Sequence, residues 1–160
     1  MTPQVIFCHS LLHFGQSITV KQYSGGTACG CMTYRDSAHP EYSREWHRNN
    51  PAQTNCNGTG KIGMTLTTTS AKAHIMPLQL AINSSMIKKE LLENIGEIQK
   101  EDYVLIGTAN ATTGTFIDLR TLNESYDYII YDSVNYLVRH VYEYATDAVI
   151  GQMVLLKRKS

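Results

Sequence analysis

The chain has 160 residues, with 14 basic and 14 acidic side chains and a formal net charge of zero at neutral pH. That balance argues against a nucleic-acid partner held by charge alone, and no stretch approaches the roughly 20 consecutive apolar residues that span a bilayer as a helix. The length and a hydrophobic fraction of 42% suffice for one domain with its own core. Met1-Thr2-Pro3-Gln4 lacks the basic start of a secretory signal, so the expected origin is a cytosol, where clustered cysteines bind metal more often than they form disulfides.

In chain order, residues 4–14 carry Val5, Ile6, Leu11, Leu12 and Phe14 at a spacing that fits either a short helix or an extended arm. Gln16–Tyr23 alternates, with Ile18 and Val20 on one face, and reads as a strand that Ser24-Gly25-Gly26-Thr27 ends. Residues 27–61 are polar and almost free of aliphatic side chains, too poor in apolar surface to fold without help. Ile62–Thr69 and Lys72–Ile82 alternate again, Pro77 marking an edge or a bulge. Ser84–Ile95 has helical spacing, with Ser84 or Ser85 as cap and Gly96 after its end.

The remainder predicts strands at Tyr103–Thr108, Thr115–Arg120, Tyr126–Tyr131, Tyr136–Tyr144 and Val149–Lys157, with a hairpin connection at Asp132-Ser133-Val134-Asn135. Short strands at this spacing make a mainly β protein, a small β-barrel or sandwich with one short helix and a metal-stapled loop insert. The expected organisation is a single domain over 1–160, with the insert at 27–61 and the barrel at 16–26 and 62–158. Six of the ten tyrosines fall between 126 and 144 and are expected to pack across strands. An acidic stretch over 118–147 and the basic Lys157-Arg158-Lys159 read either as a solvated surface, the commoner case, or as complementary charges that pair between copies in a ring.

The chemistry concentrates in the insert. Cys29-Gly30-Cys31, then His47 after fifteen residues, then Cys56 after eight more, form a Cys₃His set of the kind Zn²⁺ takes in tetrahedral structural sites. Gly30 lets both neighbouring thiolates reach one ion, Gly58 can aim its N–H at the Cys56 sulfur, and Trp46 can wall one side. His39 competes with His47 as fourth ligand, but Pro40 restricts its backbone and His47 lies nearer Cys56. His9, His13, His74 and His140 sit in or beside apolar periodic segments and read as structural or surface residues, and the lone Cys8 as a small buried hydrophobe.

Three thiolates and an imidazole close the metal's shell, whereas a catalytic zinc keeps an open position. The H-E-x-x-H and H-x-E…P-C-x-x-C signatures are absent. Gly58-Thr59-Gly60-Lys61 departs from a phosphate loop at Asn55 and Ile62, and there is no G-x-S-x-G elbow. The expectation is a structural zinc and no enzyme. A zinc-stapled nucleic-acid-binding module is the alternative: Arg35, Arg44, Arg48 and Lys61 accompany Tyr34, Tyr42 and Trp46. Asp36, Glu41, Glu45 and the site's own negative charge nearly cancel that basic set.

The runs Cys29-Gly30-Cys31-Met32-Thr33-Tyr34-Arg35-Asp36, Tyr42-Ser43-Arg44-Glu45-Trp46-His47-Arg48-Asn49-Asn50-Pro51 and Cys56-Asn57-Gly58-Thr59-Gly60 resemble the cysteine-bearing insert of small neck proteins of tailed bacteriophages. The strand-rich half is similar too, through Glu101–Gly107, Tyr126–Asp132, Tyr136-Leu137-Val138 and Val154–Arg158, so that most of residues 16–158 resembles the head-closure (stopper, head–tail joining) family. Many members of this kind carry two cysteines near the C-x-G-T-G end; Gln53 stands where the extra one would fall, which favours His47 as fourth ligand.

The resemblance implies a virion protein made in the bacterial host cytoplasm and built into the phage neck, with no membrane. Copies would form a homo-oligomeric ring joining the portal/adaptor to the tail terminator or tail-tube proteins, or serve as a collar component. DNA would pass through the channel without sequence-specific binding. It further implies loops that retain packaged DNA, with 80–101 the candidate, and a zinc insert acting as a rigid knob on the ring exterior or at a subunit contact.

Overall fold

The computed structural model describes residues 2–34, 42–83, 102–124, 126–146 and 149–159. Six strands, β1 (Gln16–Ala28), β2 (Lys61–Pro77), β3 (Tyr103–Asn110), β4 (Tyr128–Tyr131), β5 (Val134–Thr146) and β6 (Val149–Arg158), close into a barrel in the order β1-β2-β3-β6-β5-β4. Three helices accompany them: α1 (Pro3–Phe14), α2 (Tyr42–Asn49) and α3 (Leu78–Asn83). The mainly β class and the barrel agree with the sequence reading. The chain packs as two compact units, one of residues 1–22 and 68–160 and one of residues 23–67.

In the first unit, alternation places one residue in two inside the barrel. Ile18 and Val20 of β1, Ala71, Ala73 and Ile75 of β2, Leu105, Ile129, Val138, Val154 and Leu156 form one buried cluster with Leu119 and Leu122. The neighbouring residues Val104 and Leu155 face the other way and bury against Leu78 and Ala81 of α3. Burial on both faces explains why these stretches of β3 and β6 are continuously apolar rather than alternating.

β3 carries a bulge. Ala73 pairs with Thr108 and His74 with Ile106, leaving Gly107 unpaired between them at φ +67°. A Cβ there would stand 2.5 Å from Phe7 Cζ and 3.1 Å from Leu11 Cδ1, so glycine serves both the left-handed backbone and the close approach of α1. The α1 segment, open in the sequence between helix and arm, is a helix because Thr2 caps it, its Oγ1 accepting from Val5 N at 3.4 Å, and Pro3 opens its first turn. It buries Cys8 and Leu11 against Ala109, with Phe7, Leu12 and Phe116 around them. Cys8 is thus the small buried hydrophobe expected.

Several boundaries differ from the sequence reading. β1 does not stop at the glycines but runs through Gly25 and Gly26, both at positive φ, to Ala28. Ile62–Thr69 and Lys72–Ile82 are not two strands; β2 is continuous from Lys61 and ends at Pro77, and Leu78–Asn83 is helical. Thr115–Arg120 is not a strand: Phe116 makes one bridge to Ala109, and Leu119–Thr121 is a 3₁₀ turn capped by Asp118. A buried side chain enforces that turn. Gln152 Oε1 accepts from Leu119 N at 2.9 Å while its Nε2 donates to Asp118 Oδ1 at 2.6 Å.

The β4–β5 connection is tighter than the four residues expected, two residues with Asp132 at φ +48° and Ser133 at +63°, the signature of a type I′ hairpin. Two of the six clustered tyrosines pack across strands as expected: Tyr131 and Tyr136 meet the ring of Tyr103 edge-on at 5.7 and 5.5 Å. The predicted helix at Ser84–Ile95 lies outside the described residues, as does His39, and most of the 80–101 loop does too.

Candidate metal centre

The second unit holds Cys29, Cys31 and Cys56, and it is more than a loop. A 3₁₀ helix over Gly30–Tyr34 follows Cys29, and α2 carries Trp46 and His47. Local polar bonds run through the unit, which has few aliphatic residues. Cys29 N donates to Gly60 O at 2.9 Å, joining its two ends, and Met32 N donates to Cys29 O at 3.0 Å, folding the C-x-C over itself. Asn50 ends α2, both its backbone N and its Nδ2 donating to Trp46 O at 2.9 Å.

Cys56-Asn57-Gly58-Thr59 is a reverse turn closed by Thr59 N donating to Cys56 O at 3.0 Å, with Asn57 at φ +51° and Gly58 at +82°. Both central residues are left-handed, the type I′ geometry that asparagine and glycine adopt at least cost. Thr59 Oγ1 adds bonds to Cys56 O and Lys61 O. The turn aims the backbone N–H groups of Gly58 and Gly60 at the Cys56 sulfur. The sequence reading anticipated the Gly58 donor and missed Gly60, whose signal was the second glycine of the C-x-G-T-G run.

These elements bring the four predicted residues together. The Sγ atoms of Cys29, Cys31 and Cys56 and a ring nitrogen of His47 all lie within 4.8 Å of one another. His47 Nε2 is 3.4 Å from Cys29 Sγ and 3.5 Å from Cys56 Sγ, and Cys31 Sγ is 3.5 Å from Cys56 Sγ. A disulfide needs sulfurs about 2.05 Å apart; all four cysteines are free thiols. The three cysteines of the cluster are buried and packed with Trp46 and Ile62, so the indole does wall the site. Trp46 and His47 meet edge-on at 5.0 Å. His47 is partly buried as a residue, but its Nδ1 is out of reach of solvent and has no hydrogen-bond partner among the described residues.

The electrostatics separate the sulfurs. Burial, and then hydrogen bonds shared with Cys29 and Cys56, push the Cys31 thiol up to about 12. Burial acts on Cys56 in the same sense, but bonds from His47, Cys31 and the N–H groups of Gly60 and Gly58 outweigh it and bring Cys56 down to about 6. Close sulfurs cannot all ionise without a compensating charge. A bound cation supplies that charge and reverses the local preference. Three sulfurs and one imidazole nitrogen, converging and sheltered, can hold a metal ion.

The barrel unit uses its polar groups internally. Asp118 receives Arg120 Nε and Nη2 as well as Gln152, and Arg120 also pairs with Glu143. Asp127, almost fully buried, accepts from Asn123 N at 2.8 Å. Lys159 lies 4.7 Å over the Tyr128 ring. Part of the acidic stretch is therefore already engaged within the subunit.

A closed six-stranded β-barrel chain bearing a Cys₃His cluster is the class that fold and site define. No family model, curated protein or solved structure matches the chain.

Proposed function

We propose that the cluster is a structural zinc site and that the chain is a ring-forming neck protein of the phage head-closure kind. The observation that carries the zinc assignment is the set of donor spacings. Zinc bonds of about 2.3 Å to sulfur and about 2.0–2.1 Å to nitrogen at tetrahedral angles separate the donors by roughly 3.5–3.8 Å. Three of the six donor pairs, at 3.4, 3.5 and 3.5 Å, fall at that spacing or just inside it, and the other three lie within 4.8 Å. The donor set fits as well: thiolates with one imidazole select zinc among common divalent ions. Residues 23–67 gain from the ion the order that their apolar content cannot supply.

The neck reading rests on the resemblance in the insert and on its accord with a small closed barrel. In that role the barrel is the ring subunit between portal/adaptor and tail, and the staple makes the insert rigid in itself. Mass spectrometry of the purified chain should count about one zinc per chain, lost in His47→Ala. Light scattering and electron microscopy, on the chain alone and mixed with its portal–adaptor assembly, should give a closed ring or a stacked complex. A chain that stays monomeric in both settings, and binds free DNA with a steep salt dependence, would overturn the neck reading and leave a nucleic-acid module.

A further inference from the structure

We propose that His9 and His13 form a second metal site, an open two-imidazole chelate on α1 for a divalent cation that prefers nitrogen donors, of the Ni²⁺ and Cu²⁺ class. The sequence reading passed over both as structural or surface residues. Once α1 is a helix, the spacing of four residues stacks them on one face a single turn apart. Both are exposed, and their ring centroids stand 6.4 Å apart at an interplanar angle of 32°. Binding one ion through two nitrogens asks only that the rings turn toward each other. Exposed side chains do this on the picosecond-to-nanosecond scale with the backbone unmoved.

The surroundings define what the pair takes. His9 also lines a groove of about 470 Å³ between α1 and the stretch Thr112–Phe116, so one side of its ring opens on solvent space large enough for water ligands. Cys8 lines the same groove but does not serve as a third ligand. It is buried, burial raises its thiol above the ordinary range, and Gln4 Nε2 approaches its sulfur at 4.0 Å. Helix α1 contains no aspartate or glutamate, so oxygen-seeking Mg²⁺ and Ca²⁺ find no anionic donor on it. Two imidazoles completed by water suit the later first-row divalent ions, which gain most from nitrogen donors. The site is independent of the zinc and neck assignments, because it requires only α1 and its two rings.

The test is an isothermal titration of the full-length chain, as purified, with NiCl₂, repeated on His9→Ala and His13→Ala. Uptake by the cysteine cluster is common to all three proteins and cancels in the comparison. The expected result is one Ni²⁺ equivalent in the wild type whose affinity falls about tenfold or more in each variant, since either change removes half of the chelate. His140→Ala should leave it unchanged. Because both side chains are exposed, the variants should keep the wild-type far-UV spectrum. Absence of that equivalent in the wild type overturns the proposal. So does equal affinity in the wild type and either variant, which would assign the nickel to a single histidine or to the terminal amine.

Discussion

Gly30 and Trp46 touch where a side chain on Gly30 would stand: a Cβ there would lie 2.8 Å from Cζ2 and 2.9 Å from Cη2 of the indole. The glycine between the two cysteines therefore admits the ring that covers the sulfurs. Gly30→Ala should overpack this contact at a cost of about 1–3 kcal/mol and weaken metal binding, read by competition with a chromophoric chelator. Adding Trp46→Phe, which removes the clashing ring atoms, should restore much of the loss. Trp46 is the single tryptophan, so its fluorescence reports the site directly.

Metal removal should act locally. With any bound metal chelated, hydrogen exchange over residues 42–62 should lose its protection while β3 and β6, packed on both faces, keep theirs. Equal protection with and without chelator would mean that the polar bonds of the Cys56 turn suffice to order this unit.

Gln152 holds the 3₁₀ turn from inside the barrel unit. Gln152→Leu leaves Leu119 N buried without an acceptor and takes a donor from Asp118, so chemical denaturation should show a loss of about 1–3 kcal/mol. A loss near zero would indicate that the turn finds another partner.

Asp118 supplies a pH signature. Its hydrogen bonds from Arg120, opposed by burial and aided by Gln152, hold its carboxyl well below the usual carboxylate range. A depressed folded-state value means stability that is fully present above the unfolded value of about 3.9 and is lost as pH falls toward the folded one. The stability gap between wild type and Asp118→Asn, measured by urea denaturation, should therefore be constant near neutrality and shrink below about pH 4. A gap that stays constant to pH 2.5 would contradict it.

Gly107→Ala tests the bulge. A left-handed non-glycine residue costs about 1–3 kcal/mol, and the new methyl must also displace Phe7. The expected readout is a lower Tm together with faster proteolysis within α1. An unchanged Tm would mean that the helix shifts freely.

The cysteine and histidine cluster was legible because the residue types and spacing that suit a metal are visible in the chain, and the strands because Ile18, Val20, Ile129 and Val138 alternate. Three features were not. The local cue against a strand at Thr115–Arg120, the Asp118 cap on Arg120 N, is easily missed among β-like residues, and Gln152, which also holds the turn, lies more than 30 residues away. The helical state of α1 was masked because Val5, Ile6 and Phe14 remain exposed, so apolar residues appear all round it. The continuity of β1 through Gly25 and Gly26 was hidden because glycine marks a turn and a twisted strand alike.

Closing β4 onto β1 has a last consequence. At that seam, where Thr19, Val20 and Lys21 pair with Ile130, Ile129 and Tyr128, no row of backbone amides is left onto which another strand could zip, the usual route to runaway stacking of β proteins. A strand arriving there would have to break hydrogen bonds that the barrel already makes.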